Sequence, residues 1–170
     1  MNNGKIEMIC GDGAGKTSLA VGKGISALLE HKNVIMIQFL KGNQKKEENN
    51  ILKVLEPYFK IFRFEKAEEF YEELSEDEKK EELINIKNGF NFAKKVAATG
   101  ECDLLILDEI LGLIDQGIIT TDDLKRLMET KEEDMNLILT GKVLSEELKF
   151  YADEILVIDH IEVDKAFLPC

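Results

Sequence analysis

Short apolar runs alternate along the chain with longer stretches whose apolar residues recur every three or four positions. Residues 5–10 form a short apolar run that ends at a glycine-rich turn. In 17–31, Leu19, Ile25, Leu28 and Leu29 fall on one side, which predicts a helix. Residues 34–40 are nearly continuously apolar, as in a strand covered on both faces. Ile51, Leu52 and Leu55 mark a short helix that must end near Pro57, and 59–64 reads as the next strand. Ser75 with Glu78 has the form of a capping box, opening a helix towards Ala98 that Gly100 stops. Residues 104–107 and 137–139 are apolar strands, and 155–158 is the last one. Helices are expected to begin at Thr121-Asp122-Asp123 and at Ser145-Glu146-Glu147. Repeated strand–helix units of this length predict a mostly parallel sheet with helices on both faces, a three-layer α/β architecture.

Composition narrows the class. Apolar residues make up 44% of the chain, enough to bury a core. The 170 residues suit one domain, 1–170. Lys plus Arg is 22 against 34 for Asp plus Glu, a formal net charge of −12, which disfavours nucleic acid and anionic membranes as partners. No apolar stretch is long enough for a targeting signal or a membrane span. Cys10, Cys102 and Cys170 show no metal-ligand spacing, which points to free thiols and a cytoplasmic location.

The chemistry concentrates between the first strand and the first helix. Gly11, Gly13 and Gly15 allow a backbone to wrap closely around phosphate, and the following helix adds its positive N-terminal end. Lys16 can then reach the outer phosphates and the Thr17 hydroxyl can hold Mg²⁺. Cys10 stands where the usual G-x-x-x-x-G-K-[ST] pattern has its first glycine. The strand at 104–107 delivers Asp108 and Glu109 to the carboxyl edge of the sheet, where one carboxylate can hold the metal. Together these features predict a P-loop NTPase domain of the RecA-like kind.

Several segments together resemble the P-loop corrinoid adenosyltransferases. CGDGAGKTS, from Cys10, is similar to that family's T-G-x-G-K-G-K-T-T loop, which also lacks the first glycine. VIMIQFLKG, from Val34 to Gly42, resembles its V-x-x-x-Q-F-x-K-G strand. The LDE at 107–109, the LTGK at 139–142 and Ala152-Asp153 follow in matching order. The resemblance implies transfer of the 5′-deoxyadenosyl group of ATP to the Co(I) of a corrinoid, with triphosphate leaving. It implies Lys16 and Glu109 as catalytic residues and Gly11, Asp12, Gly13, Ala14, Gly15, Lys16, Thr17, Ser18, Gln38 and Lys41 as the ATP site. Thr17, Asp108 and Glu109 would hold Mg²⁺ or Mn²⁺. Ala14 departs from the family's lysine, and the chain has no tryptophan; Phe70 and Tyr71 stand where the family carries an aromatic segment against the corrin. A reductase partner and a homodimer are left open.

Other readings remain beside this one. A kinase or ATPase would bring arginines to the transferred phosphoryl group, and this chain has only Arg63 and Arg126. A nucleotide-dependent regulatory protein would keep the loop without corrinoid chemistry. Thr140 is open between sensing phosphate and capping a turn, and Gln38 between facing the nucleotide and capping a loop. His31 and His160 read as surface or packing residues, and the acidic run 65–82 as a solvated helix face.

Overall fold

The structure is a computed structural model that describes residues 3–41 and 52–163. Gly42, Ile51 and Cys170 lie outside them. Six parallel strands form one sheet in the order β3-β2-β4-β5-β1-β6. They are β1 (Ile6–Cys10), β2 (Val34–Gln38), β3 (Phe59–Arg63), β4 (Leu104–Asp108), β5 (Asn136–Thr140) and β6 (Glu154–Val157). Every residue of β2 and of β4 is buried, as their unbroken apolar runs require for strands covered on both faces. The helices are α1 (Lys16–Leu29), α2 (Glu76–Thr99), α3 (Ile110–Asp115), α4 (Thr121–Thr130) and α5 (Glu146–Lys149).

Two cores flank the sheet. On one face, Ile9, Met36, Ile106 and Ile138 pack against Ala20 and Ala27 of α1. That helix lies close because its inward positions are small. A Cβ on Gly24 would sit 2.4 Å from the ring of buried Phe59. On the other face, Met8, Ile37, Leu105 and Leu139 join Ile86, Phe90 and Val96 of α2 and Leu124 and Leu127 of α4. Alternate residues of β1, β2, β4 and β5 thus feed opposite cores, the period-2 rule of a pleated sheet.

The helix ends follow local chemistry. Ser75 and Glu78 form the capping box of α2, and Gly100 ends that helix in the left-handed conformation at φ 63°. Helix α4 begins at Thr121 as expected, and its capping box is Thr120 with Asp123. Of the short helix expected around Ile51, Leu52 and Leu55, the described part has Leu52 helical and Lys53–Leu55 as a 3₁₀ turn, ahead of Pro57. Helix α3 was not expected; its six residues directly follow Glu109 and bury Ile110, Leu111 and Leu113. Periodicity cannot separate a helix this short from an extension of the apolar strand before it. The acidic run is not wholly a solvated face, because Glu82 is 5% exposed. Among the described residues no helix is long and apolar enough to cross a membrane.

Ile106 is fully buried in the centre of the sheet. Ile106→Ala is expected to cost about 2–5 kcal/mol in a urea denaturation experiment, through lost transfer energy and a residual cavity.

Candidate active site

The strand register assembles the site. Gln38 is the cross-strand partner of Asp108, and Leu107 pairs with Leu139, which brings Thr140 to the same level at the carboxyl edge. Asp108 is fully buried, so its charge needs partners. The Thr17 hydroxyl lies 3.0 Å from both of its oxygens. Thr140 Oγ1 donates to Oδ1 at 2.7 Å, and Gln38 Nε2 donates to Oδ2 at 3.2 Å. The Lys41 ammonium is 3.4 Å from Oδ2 and donates to Thr17 Oγ1 at 2.9 Å. Thr140 Oγ1 also accepts the Glu109 backbone N–H at 2.9 Å. It therefore joins two adjacent acidic residues, a contact that spacing alone did not suggest. Gln38 likewise bridges, since its Oε1 accepts from Arg63 Nε at 2.7 Å.

The loop between β1 and α1 is tied to its neighbours. Gly11 N–H donates to Lys142 O at 3.0 Å, and Gly13 N–H donates to Ile158 O at 2.7 Å. A Cβ on Gly11, whose φ is 109°, would lie 2.3 Å from Ile158 O, so the close approach requires glycine. Lys16 Nζ folds back to donate to Gly11 O at 2.7 Å and Gly13 O at 2.8 Å. Asp12 points elsewhere: it is exposed and 3.2 Å from Lys142 Nζ.

Two cavities meet at Glu109. One, of about 320 Å³, is bordered by 14–18, Gln38, Lys41, Arg63 and Glu109. Of the residues expected at an ATP site, Ala14, Gly15, Lys16, Thr17, Ser18, Gln38 and Lys41 line it, while Gly11, Asp12 and Gly13 do not. The other, of about 280 Å³, contains Phe70 and Tyr71 together with Leu40, Glu109, Asp115 and Lys142. Glu109 stands between them at the head of α3, in a left-handed conformation at φ 62°. Burial holds its carboxyl above the usual carboxylate range, against the pull of Lys41 and Lys16. Thr17, Asp108 and Glu109 offer hard oxygen donors, and the Lys41 ammonium already lies against Thr17 and Asp108. This donor set suits a small divalent cation.

Three residues that sequence reasoning did not place at the site shape it. Arg63 lines the first cavity; its place at the end of β3 became significant only through the register with Gln38. Glu65 accepts the backbone N–H of Leu40, which is itself left-handed at φ 57°. Glu82 accepts the N–H groups of Lys66 at 2.7 Å and Ala67 at 3.0 Å. These carboxylates clamp the segment carrying Leu40 and Lys41 to the segment that leads to Phe70. Burial, reinforced by Glu82, pushes the Glu65 carboxyl up to about 7. A carboxylate and a main-chain amide far apart in sequence leave no signature from which this clamp could be read.

Comparison with known proteins gives the chain's relatives. The family model for ATP:corrinoid adenosyltransferase BtuR/CobO/CobP matches residues 2–164. The corrinoid adenosyltransferase of Escherichia coli K12 is 23% identical over 152 residues, covering 89% of this chain and 74% of that protein. The uncharacterized protein all2391 of Nostoc sp. PCC 7120 is 28% identical over 163 residues, covering 88% of this chain. The chain spans only 42% of the length of that cyanobacterial relative. Among solved structures, the KaiC-like protein PH0186 of Pyrococcus horikoshii superposes with a TM-score of 0.62 at 17% identity, over 97% of this chain and 76% of that one. This last likeness concerns the fold, a P-loop α/β domain of the RecA-like kind.

Two outcomes are expected from the polar network. Thr140→Val keeps the shape but strands the Glu109 N–H and removes one of the donors to Asp108 Oδ1, and should cost about 1–3 kcal/mol by chemical denaturation. The Glu65 carboxyl titrates higher in the folded state than the ordinary 4.5. Its contribution is therefore fully present below about pH 4.5 and lost as pH rises through about 7. Glu65→Gln should gain stability relative to wild type between pH 5 and pH 8, by on the order of 2 kcal/mol, as read from thermal melts at both values.

Proposed function

The chain belongs to the ATP:corrinoid adenosyltransferase family, and from that premise we propose that it transfers the 5′-deoxyadenosyl group of ATP to the Co(I) centre of a corrinoid. The observation that carries this reading is the convergence of two cavities on Glu109, one built on the phosphate loop and one lined by aromatic side chains. Such a pair suits two substrates that must meet, one anionic and one largely apolar.

On this reading the amides at the mouth of α1 face the triphosphate, because the first N–H groups of a helix have no partner within it. Gly11 and Gly13 spend their own N–H groups on the protein and act by holding the loop's shape. Lys16 leaves the carbonyls of Gly11 and Gly13 and pairs with the outer phosphates. Thr17, Asp108 and Glu109 would hold Mg²⁺ or Mn²⁺, which when bound offsets charge on the polyphosphate. The lone pair of Co(I) forms a bond to the ribose 5′ carbon as the C–O bond breaks. The electron pair of that bond leaves on the triphosphate oxygen, and the cobalt is formally oxidised to Co(III). Charge therefore grows on the leaving group, where Lys16 and the helix N–H groups stabilise it. Cobalt is the nucleophile, so no side chain needs to be one. Phe70 and Tyr71 present ring surface to the corrin face. The reaction needs only small molecules, with a reductase to supply Co(I), and a cytoplasmic setting is consistent with it.

The test is anaerobic incubation of cob(I)alamin with Mg-ATP. A light-sensitive Co–C absorbance and free triphosphate are expected. ADP as the product would instead make the chain a kinase or ATPase, and binding of ATP without turnover would make it a nucleotide-dependent binder. Lys16→Ala should lower kcat by at least ~100-fold, the scale of losing a preorganised charge contact. Its melting temperature should fall only slightly, because no core volume is removed. Full turnover in that variant would refute the role given to Lys16.

A further inference from the structure

We propose that Arg63 is a second anchor for the polyphosphate of ATP, holding it from the side of the cavity remote from the phosphate loop. This inference rests on the reading that the cavity takes ATP, and adds a binding residue to it. Arg63 borders that cavity of about 320 Å³ together with residues 14–18. It ends β3, the edge strand of the sheet, and β2, β4 and β5 separate it from β1, which leads into the loop. A polyanion seated there therefore meets cationic groups from two separate parts of the fold. The strand register sets the place of the guanidinium: Arg63 is the cross-strand partner of Gln38, and its Nε donates to Gln38 Oε1 at 2.7 Å. Arginine has donors only, so Gln38 turns its oxygen to Arg63 and its amide N–H to Asp108, in keeping with the 3.2 Å contact to Oδ2. The ends of three adjacent strands, β3, β2 and β4, are thus tied into one wall of the cavity.

The charges around the cavity show why a further cation matters. Within 14–18, Lys16 is the one charged side chain. The Lys41 ammonium lies 3.4 Å from Asp108 Oδ2 and donates to Thr17, so its charge is shared with a carboxylate. Glu109 borders the same cavity and opposes Lys16. A triphosphate brings several negative charges into this balance. A guanidinium stays protonated at every working pH, and its planar fork of N–H donors matches phosphate oxygens. The bond to Gln38 uses only a fraction of that capacity while it fixes the plane. Arg63 is also partly buried, which limits screening by water. A polyphosphate is the most highly charged acceptor this cavity can receive, so Arg63, like Lys16, exchanges protein partners for phosphate oxygens when it binds.

The experiment is calorimetry of the full chain at low ionic strength, with Mg-ATP and with inorganic Mg-triphosphate as titrants. Arg63→Gln keeps much of the side-chain length and an N–H donor for Gln38, and removes the charge. Its Kd should rise about tenfold or more for both titrants, the scale of one charge-assisted contact to phosphate. Arg63→Lys restores a point charge without the fork and should stay within about threefold of wild type. The gap between wild type and Arg63→Gln should narrow at high salt. An unchanged Kd in Arg63→Gln, or equal losses in the two variants, overturns the proposal. So does a loss for Mg-ATP with none for Mg-triphosphate, which would put Arg63 on the nucleoside. Should Arg63→Gln fail to fold, Arg63→Met, which keeps the apolar stem, is titrated in its place with the same expectations. Binding of neither titrant by the wild type overturns the ATP reading of the cavity, and this inference with it. An anchor that tests as expected in a chain that does not adenosylate cob(I)alamin stands, and only the transfer reaction falls.

Discussion

A carboxylate with no access to solvent organises the carboxyl edge of this sheet. Asp108 is fully buried, and a bare anion there would cost several kcal/mol. It is tolerated because four side chains from separate elements converge on it. Thr17 comes from the head of α1, Gln38 from β2, Thr140 from β5, and Lys41 from the segment after β2. The requirement runs both ways, since the carboxylate also fixes where those four groups sit. The phosphate loop is thereby joined to the middle of the sheet.

The same logic extends outward. Thr140 passes the constraint to the Glu109 backbone, and Gln38 passes it to Arg63. The loop itself rests on the segment after β6, where Ile158 O accepts the Gly13 N–H and crowds the Cα of Gly11. The last strand is therefore part of what shapes the loop, although the whole chain separates them. On the opposite side, Glu65 and Glu82 hold together the two segments that wall the aromatic cavity. Polar groups that look like surface charge in the sequence are structural ties in the fold. Their cost in desolvation is offset by main-chain N–H groups that would otherwise lack partners.

Much of the architecture was legible from the residues. The apolar runs of β2 and β4 could only be strands buried on both faces, and both are. The Ser75–Glu78 box and Gly100 marked the ends of α2 because capping is local chemistry. Where the reading fell short, the reason was also physical. Helix α3 is too short for a periodic signal.

What the sequence determined by itself was the local grammar. Glycines and Lys16-Thr17 after a strand define a phosphate-loop pattern, and an apolar strand ending in Asp108-Glu109 defines its acidic counterpart. Only the tertiary structure decided how these pieces divide the work. The order β4-β5-β1 places β5 between the two motifs, so Thr140 becomes the bridge and not a turn cap. The register between β2 and β3 makes Arg63 a neighbour of Gln38, and long-range packing turns Glu65 and Glu82 inward. Sequence spacing fixes contacts only within a few residues. Contacts across the sheet depend on which strands pair and in what register, a choice made by the whole core at once.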